Sequence, residues 1–79
     1  MKLLVRNLAR TTTEHEIRQL FSVHGIVKEC TLVLDQETGQ SKGFAFVEMP
    51  ELAEAKAAIA ALNMTSVAKS TIRVKAAQN

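Results

Sequence analysis

The chain reads as a two-layer α+β domain of order β-α-β-β-α-β, a sandwich of one four-stranded antiparallel sheet with two helices on one face. Three observations predict it: four short segments in which apolar and polar residues alternate, two longer segments in which apolar residues recur at helical spacing, and polar, turn-forming stretches between them. Two amphipathic helices of this length cover only one face of such a sheet. The other face stays open to solvent.

Lys2-Leu3-Leu4-Val5-Arg6 is β-prone and bounded by Asn7, so it forms a first strand with Leu3 and Val5 on one side and Leu4 and Arg6 on the other. Thr13 followed three residues later by Glu16 is a capping-box signature, and Ile17, Leu20, Phe21 and His24 continue at helical spacing until Gly25, which is suited to stop the helix. Val27, Cys30, Leu32 and Leu34 predict a second strand over residues 26–34, with Thr31 and Val33 facing the other way. The break in alternation at Lys28-Glu29 reads as a bulge.

The polar run Asp35-Gln36-Glu37-Thr38-Gly39-Gln40-Ser41 then joins that strand, as a mobile hairpin loop, to a third strand over residues 42–49. Pro50 can open a second helix, in which Leu52, Ala55, Ala58, Ile59 and Leu62 share a face and which Asn63 ends. Residues 64–70 carry no strong pattern. Thr71-Ile72-Arg73-Val74-Lys75 alternates cleanly and makes a fourth strand, with Ile72 and Val74 on one side and Arg73 and Lys75 on the other. Residues 1–76 form the domain and 77–79 a short tail.

The third strand is the most informative segment. Two-residue alternation puts Lys42, Phe44, Phe46 and Glu48 on one face and Gly43, Ala45, Val47 and Met49 on the other. Taken alone, it leaves open whether the phenylalanines are core or surface. The first and fourth strands decide between these, because their helix-facing sides are Leu3/Val5 and Ile72/Val74 with charged residues opposite. Consistency across strands turns Phe44 and Phe46 outward, beside Arg6, Lys42, Arg73 and Lys75. Exposed aromatics ringed by cations on a sheet suit stacking of unpaired bases and pairing with phosphates.

Composition narrows the field further. Seventy-nine residues make one domain with a modest core and no room for a lidded site between domains. A net charge of +2 and a pI near 9.0 permit a polyanionic partner without demanding one. A single cysteine, Cys30, excludes an internal disulfide framework, and no apolar run approaches membrane-spanning length. With no secretory signal in the sequence, the expected setting is reducing and cytoplasmic, or nuclear in a eukaryote.

Residues 42–49 resemble the octapeptide of the RNA recognition motif family, Lys/Arg-Gly-Phe/Tyr-Gly/Ala-Phe-Val-x-Phe/Tyr, at every defined position except the last, where Met49 replaces an aromatic. Leu3-Leu4-Val5-Arg6-Asn7-Leu8 is similar to the family's hexapeptide, Thr38-Gly39 before Lys42-Gly43 fits its hairpin, and Ala58-Ile59 with Leu62-Asn63 fits its second helix. The resemblance covers nearly the whole chain and, in size, is to the small single-domain members. It implies the ferredoxin-like form of the fold and binding of single-stranded RNA, or single-stranded DNA, by a monomer.

Carried over residue by residue, the resemblance implies that Phe44 and Phe46 stack on bases and that Lys42 pairs with a phosphate. Arg73 and Lys75 flank them, Thr31 and Val33 offer contacts from the second strand, and Arg6 and Asn7 edge the site. Leu4 stands where the family usually has an aromatic, so one stacking platform is missing. Met64 stands where the family often has glycine, and Lys69-Ser70 where it often has Gly-Arg, so the last loop is expected to differ in shape. The rival reading is a protein-binding variant of the same module. Both octapeptide phenylalanines are kept, and residues 64–70 lack the Arg-x-Phe signature of peptide capture.

Catalysis and metal binding find no support in the residues. His15, His24 and Cys30 have no zinc spacing, and Glu14, Glu16, Glu51 and Glu54 sit in first helical turns, where carboxylates favour the helix dipole. Neither a phosphate loop nor a nucleophile-base constellation is present. No enzyme activity, cofactor or metal is expected.

Overall fold

The computed structural model describes residues 1–77. Along the chain run β1 (Lys2–Arg6), α1 (Glu14–Ser22), β2 (Glu29–Leu34), β3 (Ser41–Glu48), α2 (Leu52–Leu62), β4 (Ser66–Val67), β5 (Ser70–Thr71) and β6 (Arg73–Ala76). The main sheet is antiparallel with strand order β2-β3-β1-β6, and α1 packs along β2 while α2 packs along β6. The expected β-α-β-β-α-β order is therefore present, with one small hairpin, β4-β5, added before the last strand.

The core lies between sheet and helices. Leu3 and Val5 from β1, Cys30 from β2, Ala45 and Val47 from β3, and Val74 from β6 meet Ile17 and Phe21 of α1 and Ala55, Ala58 and Leu62 of α2. Burying each of the larger side chains contributes about 1.5–3 kcal/mol, and this common inward face fixes which side of every strand is dry. Met49 and Ile72, just outside their strands, complete it.

The predicted cap of α1 is formed in full: the Thr13 hydroxyl accepts from the Glu16 N–H at 3.2 Å, and the Glu16 carboxylate accepts from the Thr13 N–H at 3.0 Å. The Thr13 N–H, and after it the Thr13 hydroxyl, which donates to the same carboxylate at 3.0 Å, hold the Glu16 carboxyl below its ordinary pKa. The helix ends at Ser22, earlier than the spacing through His24 predicts, and its last turn closes with the His24 N–H on the Phe21 carbonyl. His24 and Gly25 belong to the connection.

Other expectations are corrected as well. β2 begins at Glu29, not at residue 26, because Ile26 turns its N–H to the Glu54 carboxylate of α2 at 3.0 Å and only Lys28 reaches the Glu48 carbonyl. The irregularity falls not at Lys28-Glu29 but farther along, where Leu32 pairs with Ala45 yet Leu34 pairs with Ser41. The extra residues are on β3 around Gly43, whose φ of +87° is a left-handed conformation that a Cβ would strain. Past this shift Leu34 is 50% exposed instead of buried.

The loop before β3 is tied by hydrogen bonds to Asp35. The Asp35 carboxylate accepts from the N–H groups of Glu37 and Thr38, and the Asp35 carbonyl and N–H bond to Gly39 and Gln40. The first two bonds lower the Asp35 pKa, Thr38 contributing most. In α2, Pro50 precedes the N-cap, Glu51, and Leu52 is exposed in the first turn, so the buried stripe is Ala55, Ala58 and Leu62 with Ile59 partly covered. Its small residues let the helix axis approach the sheet closely.

The stretch over 64–70 that showed no pattern is the β4-β5 hairpin, turned by Ala68 and Lys69 with φ of +52° and +69°. Two consecutive positive φ values define the turn whose twist matches a hairpin, and Gly and Asn are its usual residues. Met64 also lies at positive φ, +67°. The sequence lacks the glycines that would announce these turns; long-range pairing, including the Met64 N–H on the Ile72 carbonyl, holds them instead.

Candidate nucleic-acid interface

The face of the sheet away from the helices carries its side chains in rows set by strand register. Thr31 of β2 is the partner of Phe46 of β3, Phe46 of Leu4 of β1, and Leu4 of Lys75 of β6, so one row crosses all four strands. One step toward the C-terminal end of β1, Arg6 is the partner of Arg73, and Phe44 and Arg6 line one depression with Leu4 and Phe46. One step the other way, Glu29 is the partner of Glu48 and Glu48 of Lys2.

Phe44 and Phe46 lie outside the core, with their ring centroids 6.2 Å apart and planes at 89°. This edge-to-face contact is the favoured geometry for two aromatic quadrupoles. The Lys2 ammonium stands 4.8 Å from the Phe46 centroid, over the ring. Each ring is accordingly only partly exposed, less than alternation alone suggests, because the two shield one another and Lys2 shields Phe46.

The row order polarises the face electrostatically. At one end Glu48 bonds to Lys28 at 3.5 Å, the single ion pair among the described residues. At the other end Arg6, Lys42 and Arg73 have no carboxylate within ion-pair distance. Two arginines directly opposite across a strand pair are a cost to the fold, as like charges in such pairs are destabilising. An anion placed there would relieve it.

Of the residues singled out from sequence, Phe44, Phe46, Leu4, Arg6, Arg73, Lys75 and Thr31 converge on this face, with Lys42 exposed beside Phe44 and Val33 half-buried on β2. Asn7 serves the framework: at φ +60° it reverses the chain after β1, and its side-chain amide donates to the Thr71 carbonyl at 2.6 Å. Lys2 was missed. It lies two residues before Leu4 on the same strand, so the alternation that found Leu4 and Arg6 also carries Lys2 to this face.

Cys30 sits on the opposite, buried side, its thiol pointing to the Glu14 carbonyl at 3.7 Å. Burial first, then the Glu14 charge, raises its pKa, which keeps the thiol protonated and unreactive near neutrality. Among the described residues no group of three or more His, Cys, Asp or Glu is arranged to hold a metal ion.

A model of the RNA recognition motif matches residues 3–73. The chain belongs to the RNA recognition motif family. It is 41% identical over 78 residues to glycine-rich RNA-binding protein 1 of Mycosarcoma maydis, a match covering 99% of this chain and 45% of the fungal protein. The chain thus spans under half the length of that relative. Among solved structures it is similar to RNA binding protein PG1, with a TM-score of 0.96, 33% identity and coverage of 100% of this chain and 95% of the other. A chain of a Sxl-lethal protein/RNA complex matches with a TM-score of 0.94 and 31% identity, over 99% of this chain and 47% of that one.

Within the family's frame, Leu4 and Met49 are this chain's departures in the two signature segments. Met49 is fully buried beneath the sheet, so its substitution for an aromatic is a matter of packing. Leu4 lies in the centre of the open row, between Phe46 and Lys75, so its substitution changes the face itself.

Proposed function

We propose that this domain binds single-stranded RNA across the open face of its sheet, with bases stacked on Phe46 and Phe44 and phosphates paired with Lys42, Arg6, Arg73 and Lys75. The observation that carries the reading is the Phe44–Phe46 pair set beside Arg6 and Arg73, partner cations with no described carboxylate within ion-pair distance. Folding alone gives no reason to put two phenylalanines and two facing arginines together on a wet surface. An extended polyanion with unpaired bases satisfies both at once.

The relatives support the same direction. The fungal relative is named as an RNA-binding protein, and the Sxl-lethal chain was solved in a complex with RNA. Thr31 and Val33 would contact the strand over β2. Leu4 offers apolar contact without a π face, so the central nucleotide is held less firmly than the base on Phe46.

Titration of a labelled, mixed-sequence single-stranded RNA at increasing salt tests this. With about four phosphates neutralised, log affinity falls against log salt with a slope near −3, at about −0.7 per contact. A slope near zero, or tighter binding to peptides than to RNA, would overturn the reading.

A further inference from the structure

The cationic end of the open face does not stop at the sheet. Beyond Phe44 lies a depression of about 310 Å³ lined by Arg6, Asn7, Leu8, Arg10, Lys42, Gly43 and Phe44. Three of these side chains are cationic and none is acidic. None of the three makes an ion pair with any described carboxylate.

The floor of this notch is fixed by three hydrogen-bonded segments. Asn7, in a left-handed conformation, ties β1 to the Thr71 carbonyl, and the Leu8 N–H donates to the Gly43 carbonyl at 2.8 Å. Gly43, left-handed as well, donates its own N–H to the buried Ser41 hydroxyl at 3.0 Å. A Cβ at residue 43 would come within 3.3 Å of the Leu8 carbonyl oxygen, so glycine is what lets the two backbones close here. The Thr12 N–H on the Ala9 carbonyl then shapes the loop that presents Arg10.

We infer that this notch binds one backbone phosphate of the RNA strand after it leaves Phe44, with Arg10 as an additional phosphate ligand beside Arg6 and Lys42. The inference rests on the RNA-binding reading and extends it by about one nucleotide beyond the sheet. Charge sets the direction of exit. At the opposite end of the face Glu29 and Glu48 offset Lys2 and Lys28, so no net positive charge collects there, whereas the notch is lined by three cations and no carboxylate, on a fixed backbone. Arginine suits the task, since its planar fork can grip two phosphate oxygens at once.

Arg10 is exposed and makes no hydrogen bond among those described, so Arg10→Ala should leave the fold intact. Lys56→Ala removes an equal charge from an exposed position on α2, away from the open face, and serves as the control for net charge. Both are titrated with a single-stranded RNA against salt, and again with RNAs in which one phosphate at a time is replaced by a neutral methylphosphonate.

The expected result is that Arg10→Ala weakens binding about fivefold, the upper range of an exposed ion pair, and lowers the salt slope by about 0.7, while Lys56→Ala does neither. Neutralising one particular linkage should weaken the wild type and leave Arg10→Ala unaffected. If the wild type binds RNA but Arg10→Ala behaves as Lys56→Ala does, the notch is not a phosphate site. If the wild type itself fails to bind, the RNA-binding reading falls with it.

Discussion

The chain has three phenylalanines, and they have two fates. Phe21 is fully buried on α1 beneath the sheet, while Phe44 and Phe46 lie partly exposed on the far side of the same layer. Ring chemistry is identical in all three. Phe21 falls on a helical stripe with Ile17 and faces a dry sheet, whereas Phe44 and Phe46 alternate with Ala45 and Val47, which take the inward positions. An aromatic becomes a core residue or a surface residue according to the face its neighbours leave to it.

The largest test of this contrast is Phe21→Ala, which removes a fully buried ring and should cost about 3–5 kcal/mol in urea denaturation, a large share of a small domain's stability. Phe46→Ala should behave in the opposite sense. Its stability cost is about 1 kcal/mol, from losing the Phe44 edge contact and the Lys2 cation, while RNA affinity falls by about 1–3 kcal/mol. Should Phe46→Ala unfold the domain while Phe21→Ala does not, the two faces have been exchanged.

Leu4→Phe sharpens the comparison by moving a third ring to the open side. Placed between Phe46 and Lys75, it should tighten RNA binding about tenfold by adding a stacking surface, with little change in the thermal midpoint. Unchanged affinity would mean that the middle of the row does not touch the strand.

The smallest effect lies away from both regions. Glu16 and Asp35 titrate below their ordinary values of 4.5 and 3.8 because backbone N–H groups bond to their charged forms. Depressed folded-state values give stability that is complete above those ordinary values and is lost as pH falls through the lower ones. Thermal midpoints measured from pH 6 to 2 should therefore decline in acid, and less steeply in a Glu16→Gln, Asp35→Asn double variant, which no longer titrates at either position. A parallel decline in that variant would show that other carboxylates govern the acid response.

Much of the architecture was legible because it depends on periodicity. Leu3 with Val5, Ile72 with Val74 and the Thr13–Glu16 box each encode their element within a few residues, and comparison among strands sorted Phe44 and Phe46 to the correct side. The same alternation carries Lys2 to the open face, two residues before Leu4. The β4-β5 hairpin was hidden because Ala68 and Lys69 take left-handed turns without glycine, so no local signal marks them. Asn7 was legible as a residue at the edge of the site, but the bond of its amide to the Thr71 carbonyl was not, because only folding brings that partner near.

The sequence by itself determined the succession along the chain of the two helices and the main-sheet strands, the inward and outward faces of β1, β3 and β6, and most of the residues on the open face, because side-chain period is a local property of the backbone. The tertiary structure decided what local period does not carry: the strand order β2-β3-β1-β6, the register that sets Arg6 opposite Arg73 and Phe46 beside Leu4, and the shift around Gly43 that closes the notch near Arg10. These are relations between segments far apart in the chain. They are fixed only when the buried faces pack together and the sheet hydrogen bonds select one alignment.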